Sequence, residues 1–351
     1  MLLEHSMSSN KEKVIWIDYA KGVAIFAVLI DHSRYVLYQS EVIGRATFYS
    51  VSLFILIMGV TTYISESKSE NEEIWSRVKR RICKIFLPYF IATFIYSVSM
   101  DHMFDLHRFL ERLLLFNASG PFYYVFLYIQ LIFVNIILYG IIQRCNDKHW
   151  GWLYKILVEI GLIVVGLLMT RYSNMLDIRG GGGKLFGGTY LVLAYLGMIG
   201  APYLIKRWAK RSLYILAGGM SALWIGILCY NLFCEDFYIL DRVLLFGDEW
   251  INPPGITLIC YSLVVILWCF SVGSICEKEN LYLRRALLFF KIIGENSLYI
   301  FLYHRLILDY FLNPYVFIEN IWIKRSVYLM CMICLPILGR KILIKAKRIL
   351  L

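Results

Sequence analysis

Ten apolar runs, each 17–26 residues long, follow one another along the chain at 14–37, 46–65, 82–100, 121–143, 153–170, 189–205, 213–233, 256–276, 287–312 and 323–343. About 20 apolar residues in helical form cross the roughly 30 Å hydrocarbon core of a bilayer. Backbone in hydrocarbon must satisfy its own hydrogen bonds, which leaves helices and closed barrels as the spanning structures. The runs are continuous rather than alternating, so helices are the reading. The expected fold is an all-α polytopic membrane protein with about ten transmembrane helices. Composition agrees: of 351 residues, 60% are hydrophobic and 17% charged, against about 25% charged in soluble domains. Disorder and a small disulfide scaffold are excluded on the same ground.

The net charge of +11 would suggest nucleic acid in a soluble domain, but here topology accounts for it. With the N-terminus inside, the inner segments (1–13, 66–84, 143–155, 206–212, 277–291 and 340–351) hold 24 of the 36 Lys and Arg. The outer segments hold nine, and Lys21, Arg34 and Arg305 lie within runs. Basic residues concentrate in cytoplasmic loops, so both termini are expected in the cytoplasm. Residues 1–351 then form a single integral membrane domain, with 1–13 a cytoplasmic N-terminus and 344–351 a basic cytoplasmic C-terminus. The expected location is the cell (inner or plasma) membrane, as a multi-pass protein, with membrane lipids as partners and no nucleic acid. Segment 102–117 has apolar residues at helical spacing with charges between them, and reads as an amphipathic helix lying at the surface.

Several familiar motifs fail on inspection. The first run is too long for a cleavable signal peptide, and Asp18, Lys21, Asp31 and His32 interrupt it. Arg179-Gly180-Gly181-Gly182-Gly183-Lys184 looks like a phosphate loop, but Ile178 stands where its first glycine belongs and Leu185 follows the lysine,. It reads as an outer loop. No Cys/His spacing resembles a zinc site, so no metal is expected; Cys331 and Cys334 sit in an apolar run and read as packing residues. The outer loop 234–255, with Asp236, Asp241, Asp248 and Glu249 around Pro253-Pro254-Gly255, suits a cap over a vestibule.

The informative residues are the polar ones inside the runs. An ionisable group at a helix centre costs at least about 2.5–3.5 kcal/mol on insertion scales, so it needs a partner, water or a function. In the first run, Lys21 and His32 are eleven residues apart; at about 100° per residue this falls within about 20° of three full turns. Both lie on one stripe, separated by about 16 Å along the axis. Asp18, three residues before Lys21, is placed for an i, i+3 ion pair. His304 and Arg305 form a second constellation in the ninth run, at a depth from which His304 can meet His32. That run is interrupted at Gly294-Glu295-Asn296, so its membrane crossing is expected to begin near Ser297. Glu159 stands alone in the fifth run, while Gln130 and Asn135 in the fourth read as helix–helix glue.

The wording Ile17-Asp18-Tyr19-Ala20-Lys21-Gly22, an apolar stretch, then Asp31-His32 resembles the opening signature of the acyltransferase-3 family of integral membrane acyltransferases. It looks closest to the branch of fucose 4-O-acetylase-like and polysaccharide O-acetyltransferases. Three further segments agree: Phe48–Ile64 with Gly59 ending a Phe-containing run, the basic-then-proline stretch Arg80–Tyr89, and Gly294-Glu295-Asn296-Ser297 through His304. The run from Phe122 to Leu138 also has the family's aromatic look. Lys21 stands where many relatives have arginine, while Ser50 and Ser52 stand where they carry a second-helix histidine and a proline.

The resemblance implies transfer of an acyl group, expected to be acetyl, from cytoplasmic acyl-CoA (acetyl-CoA) to a hydroxyl of a cell-surface glycan or glycolipid precursor. The donor is a co-substrate; no permanently bound cofactor is expected. A hydroxyl needs a general base with pKa near 7, and His32 fits, with His304 as a second candidate. A carboxylate from another helix is expected to orient His32, since Asp31 faces about 100° away. The donor phosphates need cations, for which Arg77, Arg80, Arg81 and Lys84 before the third span are candidates. The thioester oxygen needs positive help as it gains charge, assigned to Lys21 or an arginine. Polysaccharide biosynthesis enzymes are expected partners. The alternatives are a transporter or exporter of polysaccharide or lipid-linked sugar, weakened by the missing internal repeat, and a silent assembly partner of a synthase.

Overall fold

The computed structural model describes residues 14–69, 72–101, 103–146, 152–173, 187–234, 236–244, 251–278, 281–315 and 318–350. The N-terminal segment 1–13 and the glycine-rich stretch 179–184 lie outside them, as do Asp248 and Glu249 of the 234–255 loop. The described residues are mostly helical, with no strand among them. The main helices are α1 (Ile15–His32), α2 (Tyr49–Glu66), α3 (Ile74–Asp101), α4 (Leu106–Leu115), α5 (Tyr123–Asn146) and α6 (Trp152–Ser173). They continue as α7 (Tyr190–Ile205), α8 (Lys210–Phe233), α9 (Ile256–Lys278), α10 (Leu281–Glu295), α11 (Ser297–Leu306) and α12 (Ile321–Leu350).

Each apolar run of the sequence becomes a helix, but not every one is a simple span. Among the described residues, seven helices are long and apolar enough to cross a membrane, those built on α2, α3, α5, α6, α8, α9 and α12. The other three runs differ for separate reasons. Helix α1 is 18 residues long but carries Asp18, Lys21 and Asp31. Helix α7 has 16 residues, and Pro202 lies in its last turn. The ninth run is two helices: α10 ends at Glu295 and α11 restarts at Ser297, then widens into a π-helical segment Ile307–Leu312. The break falls at Asn296, where the sequence pattern places the interruption.

Helix α1 is the axle of the bundle. It packs on α10, α2, α9 and α11, and Ala20, Ala24, Ile25 and Leu29 are fully buried. Lipid tails are as apolar as leucine, so helices in a membrane associate through close packing of small residues rather than through water exclusion. Two glycine contacts show this. Gly22 lies against the Phe290 backbone, and Gly294 lies against the backbone of Asp18 and Gly22. In the same way Gly59 of α2 and Gly197 of α7 face each other Cα to Cα, with Ala194 and Leu56 backbone alongside. Gly22→Val is therefore expected to force α1 and α10 apart, at a cost of about 1–3 kcal/mol or more. A lowered melting temperature in detergent checks it. Gly218→Ala, where nothing lies within 4 Å of the added methyl, serves as the neutral control.

The periphery looks outward with apolar side chains such as Leu157 on α6 and Ile215, Leu223 and Ile225 on α8, each more than half exposed. Such a surface is stable against lipid tails and not against water. Helix α4 is the amphipathic segment. Asp105 caps its first turn by accepting from the N–H groups of His107 and Arg108. Arg112 fastens it to the end of α3 through a bidentate pair with Asp101, at 2.7 and 3.0 Å. Phe109 and Leu113 pack inward, while Leu106, Leu110 and Leu114 stay exposed on the face expected of an interfacial helix.

Candidate active site

Two constellations lie along the stripe of α1 that faces α10 and α11. The first is a cleft of about 720 Å³ beside Lys21. Its charged lining is Asp18, Lys21, Lys84, Glu295 and Arg340, over apolar and aromatic walls that include Phe54, Tyr124, Tyr128 and Phe301. The expected i, i+3 pair is present, with Lys21 Nζ 3.8 Å from Asp18 Oδ1. Arg340 of α12 donates to the Glu295 carbonyl at 2.8 Å and to Asn296 Oδ1 at 2.7 Å, and its guanidinium lies over the Tyr299 ring. It thereby closes the α10–α11 break, where the helix has carbonyls with no partner of their own. As a site residue Arg340 escapes sequence reading, because in the sequence it is one of five cations in a basic tail.

The second constellation is a pair of histidines. His32 Nδ1 and His304 Nε2 are 2.6 Å apart, and the rings are nearly parallel with centroids at 4.9 Å. His304 is fully buried, and its Nδ1 lies 2.8 Å from the Phe301 carbonyl and 3.2 Å from that of Ile300. A carbonyl only accepts, so Nδ1 of His304 carries the proton and its Nε2 is an acceptor. His32 must then donate from Nδ1, which leaves Nε2 of His32 with its lone pair. One chain of hydrogen bonds thus selects the tautomer of His32 that works as a base. The orienting group is an imidazole on another helix, not the carboxylate the sequence suggested. Asp31 does come near, with Oδ2 3.9 Å from His32 Nε2. That is too long to orient the ring. Arg305 completes the group by donating to the His32 carbonyl at 2.9 Å and pairing with Asp309 at 2.9 Å.

The family model described as an acyltransferase domain matches residues 14–340. The chain belongs to the acyltransferase-3 family. No curated protein and no solved structure matches it. The matched region of this acyltransferase-3 chain begins just before α1 and ends at Arg340, so it contains both constellations.

The remaining site residues expected from sequence fall into two groups. Lys84 lines the cleft. Arg77 and Arg81 instead converge on Glu66, the last residue of α2, whose side chain is 3% exposed: Arg77 Nη2 lies 2.9 Å from Oε2 and Arg81 Nη2 2.6 Å from Oε1. Arg77 also donates to the Ser69 carbonyl at 2.9 Å. These two arginines knit the α2–α3 turn. Arg80 makes an exposed bidentate pair with Glu72, holding that carboxyl below its usual range. Exposed pairs exchange partners readily, and Arg80 shares a face of α3 with Lys84, four residues on. Lys21 and His32, about 16 Å apart along α1, serve different places. Lys21 belongs to the cleft, whereas Arg305 is the cation set against His32. The cleft ends at Phe301, whose ring is 6.0 Å from that of His304, and neither histidine is part of its lining. Glu159 accepts from the Tyr195 hydroxyl at 3.1 Å, which gives this intramembrane carboxyl a structural partner.

Proposed function

We propose that this membrane acyltransferase moves an acetyl group from cytoplasmic acetyl-CoA to a hydroxyl of a cell-surface glycan or its lipid-linked precursor, as in the polysaccharide O-acetyltransferase branch its motifs resemble. The observation that carries the reading is the hydrogen-bond chain from the Phe301 carbonyl through the buried His304 to His32. It holds a neutral imidazole with a free lone pair inside a membrane, and a sugar hydroxyl needs that kind of base. In the reaction, His32 Nε2 takes the hydroxyl proton as the oxygen forms its bond to the thioester carbonyl. The tetrahedral oxyanion collapses, the carbon–sulfur bond breaks, and the proton passes from Nε2 to the departing thiolate. Arg305 lies on the same side of α1, where it donates to the His32 carbonyl. General base catalysis of this kind is worth about 10²–10⁴-fold.

Lys84, Arg340 and Lys21 give the cleft the positive charge that an acyl-CoA needs, with Arg80 at its approach. The aromatic walls suit the pantetheine arm, whose thioester end points toward Phe301 and the histidine pair beyond it. Lys84→Ala and Arg340→Ala are each expected to raise KM for acetyl-CoA about tenfold with little change in kcat, as uniform donor binding is lost. Steady-state CoA release at varied donor concentration checks this. The deciding experiment supplies the purified protein with acetyl-labelled CoA and a glycan acceptor. Labelled ester and free CoA in equal amounts support the reading. Intact acetyl-CoA alongside movement of glycan across a vesicle wall would make the protein a transporter.

A further inference from the structure

A second large cavity, of about 880 Å³, opens among the start of α1, the end of α7, the start of α8 and the end of α9, with Lys291 of α10. It shares no lining residue with the Lys21 cleft. Its lining cations are Lys206, Arg207 and Lys291, and Glu277 is the one acidic residue among the described lining. Glu277 is engaged at the first turn of α1, where Oε1 accepts from the Trp16 backbone N–H at 3.1 Å. This carboxylate does the work of the missing N-cap, since Val14 offers no side-chain acceptor. Below the cations the cavity is apolar, floored by Trp16, Phe270 and Leu213, all buried.

We infer that this cavity is a binding site for the phosphate headgroup of an anionic phospholipid, independent of the acyl-transfer reading. Three observations select a lipid over a soluble phosphate. The cations form a rim over an apolar floor, so a ligand with a charged head and a greasy body matches both halves. The flank beside the rim is lipid-facing: Tyr203 is 67% exposed and Ile205 42%, with Ile215 of α8 at 66%. Acyl chains of a bound lipid therefore continue into the bilayer along side chains that already face it. Trp208, between rim and flank, donates from Nε1 to the Tyr203 carbonyl at 2.8 Å and packs edge-on to Phe270, the amphipathic placement that indoles take at headgroup depth. Basic pockets between helices at the cytoplasmic surface are suited to anionic headgroups, and the 206–212 segment lies on the side where Lys and Arg are concentrated.

The test is native mass spectrometry of the full-length protein, delipidated in detergent and offered phosphatidylglycerol or phosphatidylcholine at equal concentration. Phosphatidylglycerol is expected to be retained about a hundredfold more, with about fivefold of that preference lost per cation removed. The variants are Lys206→Gln, Arg207→Gln and Lys291→Gln, singly and together. Lys206→Arg and Lys291→Arg are expected to keep it, which separates charge from folding should the triple variant fail to insert. Equal retention of the two lipids, or undiminished preference in the glutamine variants, overturns the proposal. So does displacement of the lipid by millimolar inorganic phosphate or by CoA, since that outcome assigns the cavity to a soluble anion.

Discussion

His32→Ala is expected to lower acyl transfer by about 10²–10⁴-fold while leaving membrane insertion intact and lowering the melting temperature only by the loss of the partner of His304 Nε2,. The side chain is half-buried at the end of α1, 27% exposed, so its removal opens little space. What is lost is the one lone pair that the hydrogen-bond chain leaves available for a hydroxyl proton. His304 is a different case. It touches no reacting atom in this scheme and acts through His32, so His304→Ala is expected to cost about 10²-fold, the scale on which a misplaced catalytic group loses rate. It should also destabilise, because His304 is wholly buried and its loss leaves the His32 Nδ1–H facing a cavity. His304→Gln, whose amide oxygen can accept from His32, is expected to recover part of the rate. Rates come from labelled ester formation and stability from thermal unfolding in detergent. Parental turnover in His32→Ala would remove this residue from the chemistry altogether.

The largest effect on stability is expected at Glu66. Its side chain is 3% exposed and receives both Arg77 and Arg81, so Glu66→Ala leaves two guanidinium groups without their counter-charge. Removing one partner of a buried ion pair costs about 3–5 kcal/mol, most of it the penalty of the charge left behind. Glu66→Gln keeps the shape and two acceptor lone pairs and should fall between. The contrast is Arg80→Gln, which breaks only the exposed pair with Glu72 and is expected to leave the melting temperature unchanged while weakening acetyl-CoA binding. If Glu66→Ala melts with the parent, the α2–α3 turn is not held as described, and Arg77 and Arg81 return to the pool of candidate donor ligands.

Helix positions and the polar residues inside them were legible in the sequence because both are local. Hydropathy over about 20 residues marks a span, and the 100° step of a helix puts Lys21 and His32 on one stripe whatever surrounds them. The Asp18–Lys21 pair and the break at Asn296 follow from neighbours in the chain. Partners across the bundle are another matter. His32 and His304 are 272 residues apart, and no periodicity connects them; only equal depth suggested that they meet. The basic cluster before α3 reads as one group of cations, yet packing sends Arg77 and Arg81 to Glu66, leaves Arg80 outside and turns Lys84 into the cleft.

The physical reason is that a helix in lipid is apolar on every side, so its sequence does not mark which face meets protein and which meets hydrocarbon. Composition and helical periodicity by themselves determined an all-helical membrane protein with charge buried along one stripe of its first helix. Which side chains answer that charge was decided by the close approach of α1, α10 and α11, where Gly22 and Gly294 let the backbones touch and the two histidines come within one hydrogen bond.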